Sequence, residues 1–165
     1  MCWISKNLVE QKSDGKVEIY KVCGIDKNNV IRSYFRPNFT YVLNIPNQTK
    51  VSINQHENEY YGFNGLHSYS AKLTEWKREK YTSKQDCIHI KSINSNMWLY
   101  PLYTPLFCKP MFYSDQKHSA VRKEHIAVIK GYIPKGASYY VNSHGEIISE
   151  EIVLTEIIQT IEYYA

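Results

Sequence analysis

Apolar and polar residues alternate through Val17–Cys23 (VEIYKVC), the period-two pattern of a strand, and the pattern returns in Val30–Phe35 (VIRSYF). Asp26-Lys27-Asn28-Asn29 lies between them, and Asn and Asp tolerate tight backbone angles, so a hairpin is expected. Arg36-Pro37-Asn38 breaks the second strand. Thr40–Ile45 and Thr49–Ile53 flank Pro46-Asn47 and predict a second hairpin. Tyr60–His67 reads as extended, with Gly62 and Gly65 marking a bulge or a close backbone approach. Cys87–Ile93 is a further strand, and His125–Ile133 is the strongest one. Pro134-Lys135-Gly136 turns it toward Ser138–Val141, and Asn142-Ser143-His144-Gly145 is a hairpin turn ahead of Glu146–Leu154.

Between these strands the pattern changes. Ala71–Lys80 (AKLTEWKREK) consists mostly of helix formers, follows the candidate caps Ser68 and Ser70, and ends in basic residues that suit the helix dipole. This predicts a helix over about 70–81, burying Leu73, Trp76 and Tyr81. Ile157, Ile158, Ile161 and Tyr164 fit a short C-terminal helix, although β-branching suits a strand as well. Met97–Met111 is apolar but broken by Pro101, Pro105 and Pro110, which makes it an edge segment or an ordered loop. Ser114–Lys123 is polar and reads as an exposed loop. The expected fold is α+β: one compact domain over 1–165, mainly antiparallel sheet with one clear helix.

A chain of 165 residues can bury roughly two-thirds of its unfolded surface. No segment approaches the ~20 apolar residues of a membrane span, and the N-terminal MCWISKNLVEQKSDGK has no apolar core of signal-peptide length. These features predict a cytoplasmic protein with no membrane partner. Its four cysteines are widely spaced and read as thiols. Fifteen tyrosines suit half-buried strands and contact surfaces alike. Charge is unevenly spread: residues 61–135 carry a local +7 and residues 136–165 a local −5. The basic stretch would attract an acidic protein surface or nucleic acid, unless the acidic tail covers it.

That charge layout makes Tyr69, Trp76, Lys77, Arg78 and Lys80 the candidate binding residues, aromatic rings and cations on one surface. No nucleic-acid motif accompanies them. Metal ligation is not expected: Cys87 and His89 share a strand face, and His118, His125 and Cys108 have no ligand spacing with them. Cys2 would be a nucleophile only as the first residue of an amidohydrolase larger than this chain. His67 stands in a Gly-rich segment where it could serve as acid, base or anion ligand, or simply hold a corner. His144, in a turn, should be solvated.

MCWISK, IYKVCGID, GFNGLHSYSA and GYIPKGASYYVNSHGEIISEEIVL together resemble small uncharacterised proteins of bacteriophages and prophages, those of Bacteroidota hosts above all. The resemblance covers most of the chain in order. It implies no known activity but a setting, in which accessory proteins of this size often inhibit host defences, CRISPR systems among them. With the basic, Tyr-rich surface of residues 61–135, the expectation is a non-enzymatic protein without cofactor that binds a host protein or ribonucleoprotein complex. IPKGASYY followed by SEEIVL is similar, more weakly, to the late strands of ADP-ribosyltransferases. That likeness implies an NAD-using enzyme with Glu151 as the essential carboxylate, Ser149 two residues before it, and His67 or Arg32 holding the dinucleotide. This sequence lacks the Ser-Thr-Ser type strand of those enzymes.

Overall fold

A computed structural model describes residues 3–26, 28–33, 39–70, 75–82, 85–91, 96–99 and 123–162. Its first strands are β1 (Trp3–Ser5), β2 (Gln11–Lys12), β3 (Val17–Asp26), β4 (Ile31–Ser33), β5 (Thr40–Tyr41), β6 (Pro46–Gln48), β7 (Ser52–His56) and β8 (Glu59–Asn64). After them come β9 (Leu66–Tyr69), β10 (Glu75–Thr82), β11 (Gln85–Lys91), β12 (Asn96–Leu99), β13 (Lys123–Ile133), β14 (Ser138–Val141), β15 (Glu146–Ser149) and β16 (Glu151–Glu162).

The main sheet runs β2-β14-β15-β9-β3-β13-β16-β6, with β4 and β5 continuing beside β3. Only Glu150 separates β15 from β16, yet the two stand at opposite ends of the run β15-β9-β3-β13-β16. One residue spans less than 4 Å of chain, so the sheet must curl round, and the bent β15–β16 segment closes it. Curling needs local irregularity. The β13–β16 register shifts between Lys130 and Gly131, where a Cβ on Gly131 would stand 2.2 Å from the Val153 carbonyl oxygen. Inside the curl, Ile19, Cys23, Leu66, Ile129, Ile133, Ile147, Ile152 and Leu154 form the core. Each fully buried aliphatic side chain there contributes about 1.5–3 kcal/mol.

A second sheet, β1-β8-β7, packs on the outer side of β15. Gly62 and Gly65 let it approach: a Cβ on either would meet Ile148 at 2.6 Å and 2.5 Å respectively. The Trp3 indole donates to the Glu146 carbonyl at 3.0 Å across the same junction. The turns follow the sequence pattern. Asp26 Oδ1 accepts from the Asn28 and Val30 amides at 2.8 and 3.0 Å, and Asn142 Oδ1 accepts from those of His144 and Glu146, both at 3.0 Å.

Several expectations need correction. The described residues contain no helix, so the fold is a mainly antiparallel all-β one and not α+β. The segment expected as a helix over 70–81 holds strand β10, which pairs with β11, and β11 with β12, in a third sheet; residues 71–74 lie outside the described chain. Helix propensity differs by less than ~1 kcal/mol per residue among ordinary residues, and the ladder hydrogen bonds that β10 makes with β11 outweigh it. Ser68, expected as a helix cap, is a buried member of β9. The expected C-terminal helix is the far half of β16, whose β-branched Val153, Thr155, Ile157 and Ile158 suit the pleat. Pro46-Asn47 is no hairpin turn: it belongs to β6, a terminal strand on which proline's missing donor costs nothing. The segment expected over Met97–Met111 opens in β12, a terminal strand of the third sheet, and beyond Leu99 falls outside the described residues, as does Ser114–Lys123 save that Lys123 opens β13.

Candidate functional site

Two places bring polar chemistry together, one on the surface and one inside the curl. The surface site is a half-open groove of about 370 Å³ where the two sheets meet. Val51 and Ile53 reach it from the β7 end, Leu8 from the segment after β1, and Tyr140 from β14; these supply its apolar wall. Glu10, Lys50, Ser138 and Glu150 supply the polar one.

Ser138 organises that polar wall. Its hydroxyl donates to Glu10 Oε1 at 2.6 Å and accepts from the Lys12 ammonium, which also lies 3.5 Å from Glu10 Oε1. Its amide donates to Glu150 Oε1 at 2.9 Å, and its carbonyl accepts from the Glu150 amide at 3.2 Å. The Ser138 hydroxyl, and next to it Lys12, hold the Glu10 carboxyl below its ordinary range. Burial, with Glu10 and Glu150 nearby and Lys12 opposing them, pushes the Tyr140 phenol up.

Serine, lysine and carboxylate in contact invite a nucleophile reading, and the hydrogen-bond directions argue against it. Lys12 spends its protons as a donor to the serine oxygen, so it is no base toward it. Glu10 is the acceptor in reach, and its lowered pKa makes it a poor base. The Ser138 amide, which could stabilise an oxyanion, is already held by Glu150. The cluster is a polar latch joining β2, β14 and the β15–β16 bend.

The interior site centres on Lys21. It sits on the inward face of β3 between Ile19 and Cys23 and is only 6% exposed. Its amine donates to the His67 carbonyl and lies 5.2 Å from the centre of the Tyr41 ring. Among the described residues no carboxylate pairs with it, and burial draws its pKa down. Tyr20 pairs with Tyr69 across β3 and β9, so the next residues, Lys21 and Ser68, stand opposite each other. The buried Ser68 hydroxyl has no hydrogen-bond partner.

The structure scatters the residues singled out from sequence. Tyr69 is 3% exposed, and burial, then Glu146, raises its pKa; its ring belongs to the interior and not to a contact surface. Trp76, Lys77, Arg78 and Lys80 are consecutive or near neighbours on β10, opposite Ile90, His89, Ile88 and Asp86.

The residues of the dinucleotide reading are also dispersed. Arg32 on β4 donates through Nε to Asp26 Oδ2 at 2.8 Å. Burial alone would raise the Asp26 pKa, but Arg32 and the amides of Val30 and Asn28 hold it below the usual value. That arginine pins the first hairpin. His67 is half-buried on β9. Glu151 pairs with Gln48 on β6, which joins β16 over Glu151–Val153, while β13 pairs with β16 from Val153 to Glu162. Ser149, two residues earlier, is fully buried and donates to the Leu66 carbonyl at 3.4 Å. His144 is exposed in its turn. Cys2, Cys108 and His118 lie outside the described residues.

Among the described residues no three His, Cys, Asp or Glu side chains converge as metal ligands, and no helix is long and apolar enough to cross a membrane. No family model, curated protein or solved structure matches the chain. Sequence reasoning passed over Glu10, Ser138, Tyr140 and Lys21. Only Lys21 left a signal, through its inward parity in the alternating VEIYKVC.

Proposed function

We propose that this protein is a non-enzymatic accessory factor of phage or prophage origin that works in the bacterial cytoplasm by binding a host macromolecule, a protein or ribonucleoprotein complex. Inhibition of a host antiviral defence, a CRISPR system among them, is the role that setting favours. One observation carries the binding reading. Among the described residues, Ile4, Leu8 and Val9 are three of seven exposed large hydrophobic residues; they fall within six consecutive positions, Leu8 lines the groove and Val9 is 64% exposed. Scattered exposed apolar residues are ordinary, whereas a cluster rimmed by charge marks a contact surface. The cations of β10, Lys77, Arg78 and Lys80, add long-range attraction for an acidic partner.

The test is capture of partners from host lysate with and without nuclease, using wild type, a Leu8→Asp/Val9→Asp double variant and a Lys77→Glu/Arg78→Glu/Lys80→Glu triple variant. A specific protein partner that survives nuclease, is lost with the double variant and is weakened at low salt by the triple variant is the expected result. Capture abolished by nuclease would move the reading to nucleic acid. No partner retained by folded wild type would overturn it.

A further inference from the structure

Resting on the binding reading, we propose that the groove receives an extended segment of a partner protein, which adds its backbone to the open edge of β7 and places one lysine or arginine side chain between Glu10 and Glu150. The first support is backbone. Among the described residues β7 pairs with β8 alone, and β2, which follows Glu10, pairs with β14 alone. Among the described residues β7, which brings Ile53 to the groove, is therefore a terminal strand with unpaired N–H and C=O groups on one side, the template that strand addition uses.

The second support is the groove's chemistry. Leu8, Ile53 and Tyr140 line the groove, and their apolar surface suits the aliphatic stem of a long basic side chain. At the groove's polar end stand two carboxylates. Each uses Oε1 on Ser138, Glu10 on the hydroxyl and Glu150 on the amide, and Lys12 also lies 3.5 Å from Glu10 Oε1, so Oε2 of each carboxylate is the acceptor offered to a guest. A phenol beside them adds a π face and an oxygen. Anionic oxygens, a ring and an apolar surface together recognise an ammonium or guanidinium group. The volume, about 370 Å³, is at the small end of ligand sites and matches one side chain with its backbone. Lys50, at the Val51 end, repels a second cation, so the site selects an isolated basic residue over a polybasic run.

The experiment screens a yeast-displayed library of random nine-residue peptides against the whole protein. Selected peptides should be enriched in one basic residue flanked by β-formers. A synthetic peptide from that pool should bind roughly tenfold or more weakly when its arginine becomes citrulline, and likewise when the protein carries Glu150→Gln, which keeps the acceptor for the Ser138 amide. N-methylation of alternate backbone amides should abolish binding on one strand parity only. Peptides without basic enrichment, equal affinity for citrulline, or no selection at all would each overturn the inference. A lysate partner still lost with Leu8→Asp/Val9→Asp under those results would leave the broader binding reading standing; loss of both would remove it.

Discussion

The groove at Ser138 and the interior at Lys21 both gather polar side chains, but they treat them in opposite ways. Around Ser138 every polar group has a partner: hydroxyl to carboxylate, ammonium to hydroxyl, amide to carboxylate. Solvent is close, so the net stabilisation from each exposed contact is small. Inside the curl the balance is reversed. Lys21 has a backbone carbonyl and a ring face in place of a counter-ion, and the Ser68 hydroxyl has nothing. Burial makes those deficits expensive. The surface cluster is therefore satisfied and inexpensive to alter, whereas the inner one is a standing cost that the surrounding aliphatic core offsets.

The sharpest way to break this contrast is at the junction of the two sheets. Gly65 has a φ of +138°, and a Cβ there would lie 2.5 Å from Ile148 Cγ1 and 3.4 Å from Val51 Cγ2. Gly65→Ala combines backbone strain with overpacking and should cost about 2–4 kcal/mol, read as a lowered urea midpoint. Because Val51 also lines the groove, peptide affinity should fall in the same variant. A Gly65→Ala protein with unchanged midpoint and unchanged affinity would show that the two sheets do not depend on this contact.

Lys21 comes next. Lys21→Met keeps the chain length and removes the amine, and replacement of a poorly compensated buried amine by an apolar side chain should stabilise the fold by about 1–3 kcal/mol at pH 7. The pH dependence has a definite sign. The folded pKa lies below the unfolded value of 10.5, so between the two the unfolded chain binds more protons and stability rises with pH. The stabilising contribution of the neutral amine is complete above 10.5 and is lost as pH falls through the folded value. Urea midpoints measured from pH 7 upward should climb in wild type relative to Lys21→Met. Parallel curves would mean that Lys21 reaches solvent.

How much of this was legible in the sequence follows the range of the forces involved. Turn chemistry is local, and Asp26 and Asn142 hold the turns their positions predicted. Gly62 and Gly65 announced a close approach, although only the fold shows that Ile148 is what approaches. The segment expected as a helix over 70–81 misled because its helix propensity is real, while the pairing of β10 with β11 is a tertiary fact. Glu10, Ser138 and Glu150 are far apart along the chain and converge only because β2 pairs with β14 and the chain bends at Glu150. Lys21 was readable by parity alone: Ile19 and Cys23 on either side face the core, so the residue between them must as well.

The smallest predicted effect gives the finest test of the inner site. Ser68 carries a fully buried hydroxyl without a partner, and such a group costs about 1–3 kcal/mol of lost solvation. Ser68→Ala removes that cost at the expense of a small void, so a net gain of about 0.5–1.5 kcal/mol is expected. The register places Ser68 opposite Lys21, which makes a double-mutant cycle informative. If the two side chains never interact, Ser68→Ala and Lys21→Met should be additive within about 0.5 kcal/mol. A destabilising Ser68→Ala with strong coupling to Lys21→Met would show instead that the amine and the hydroxyl meet in solution. The inner cluster would then be as well satisfied as the outer one, and the contrast between them would fall.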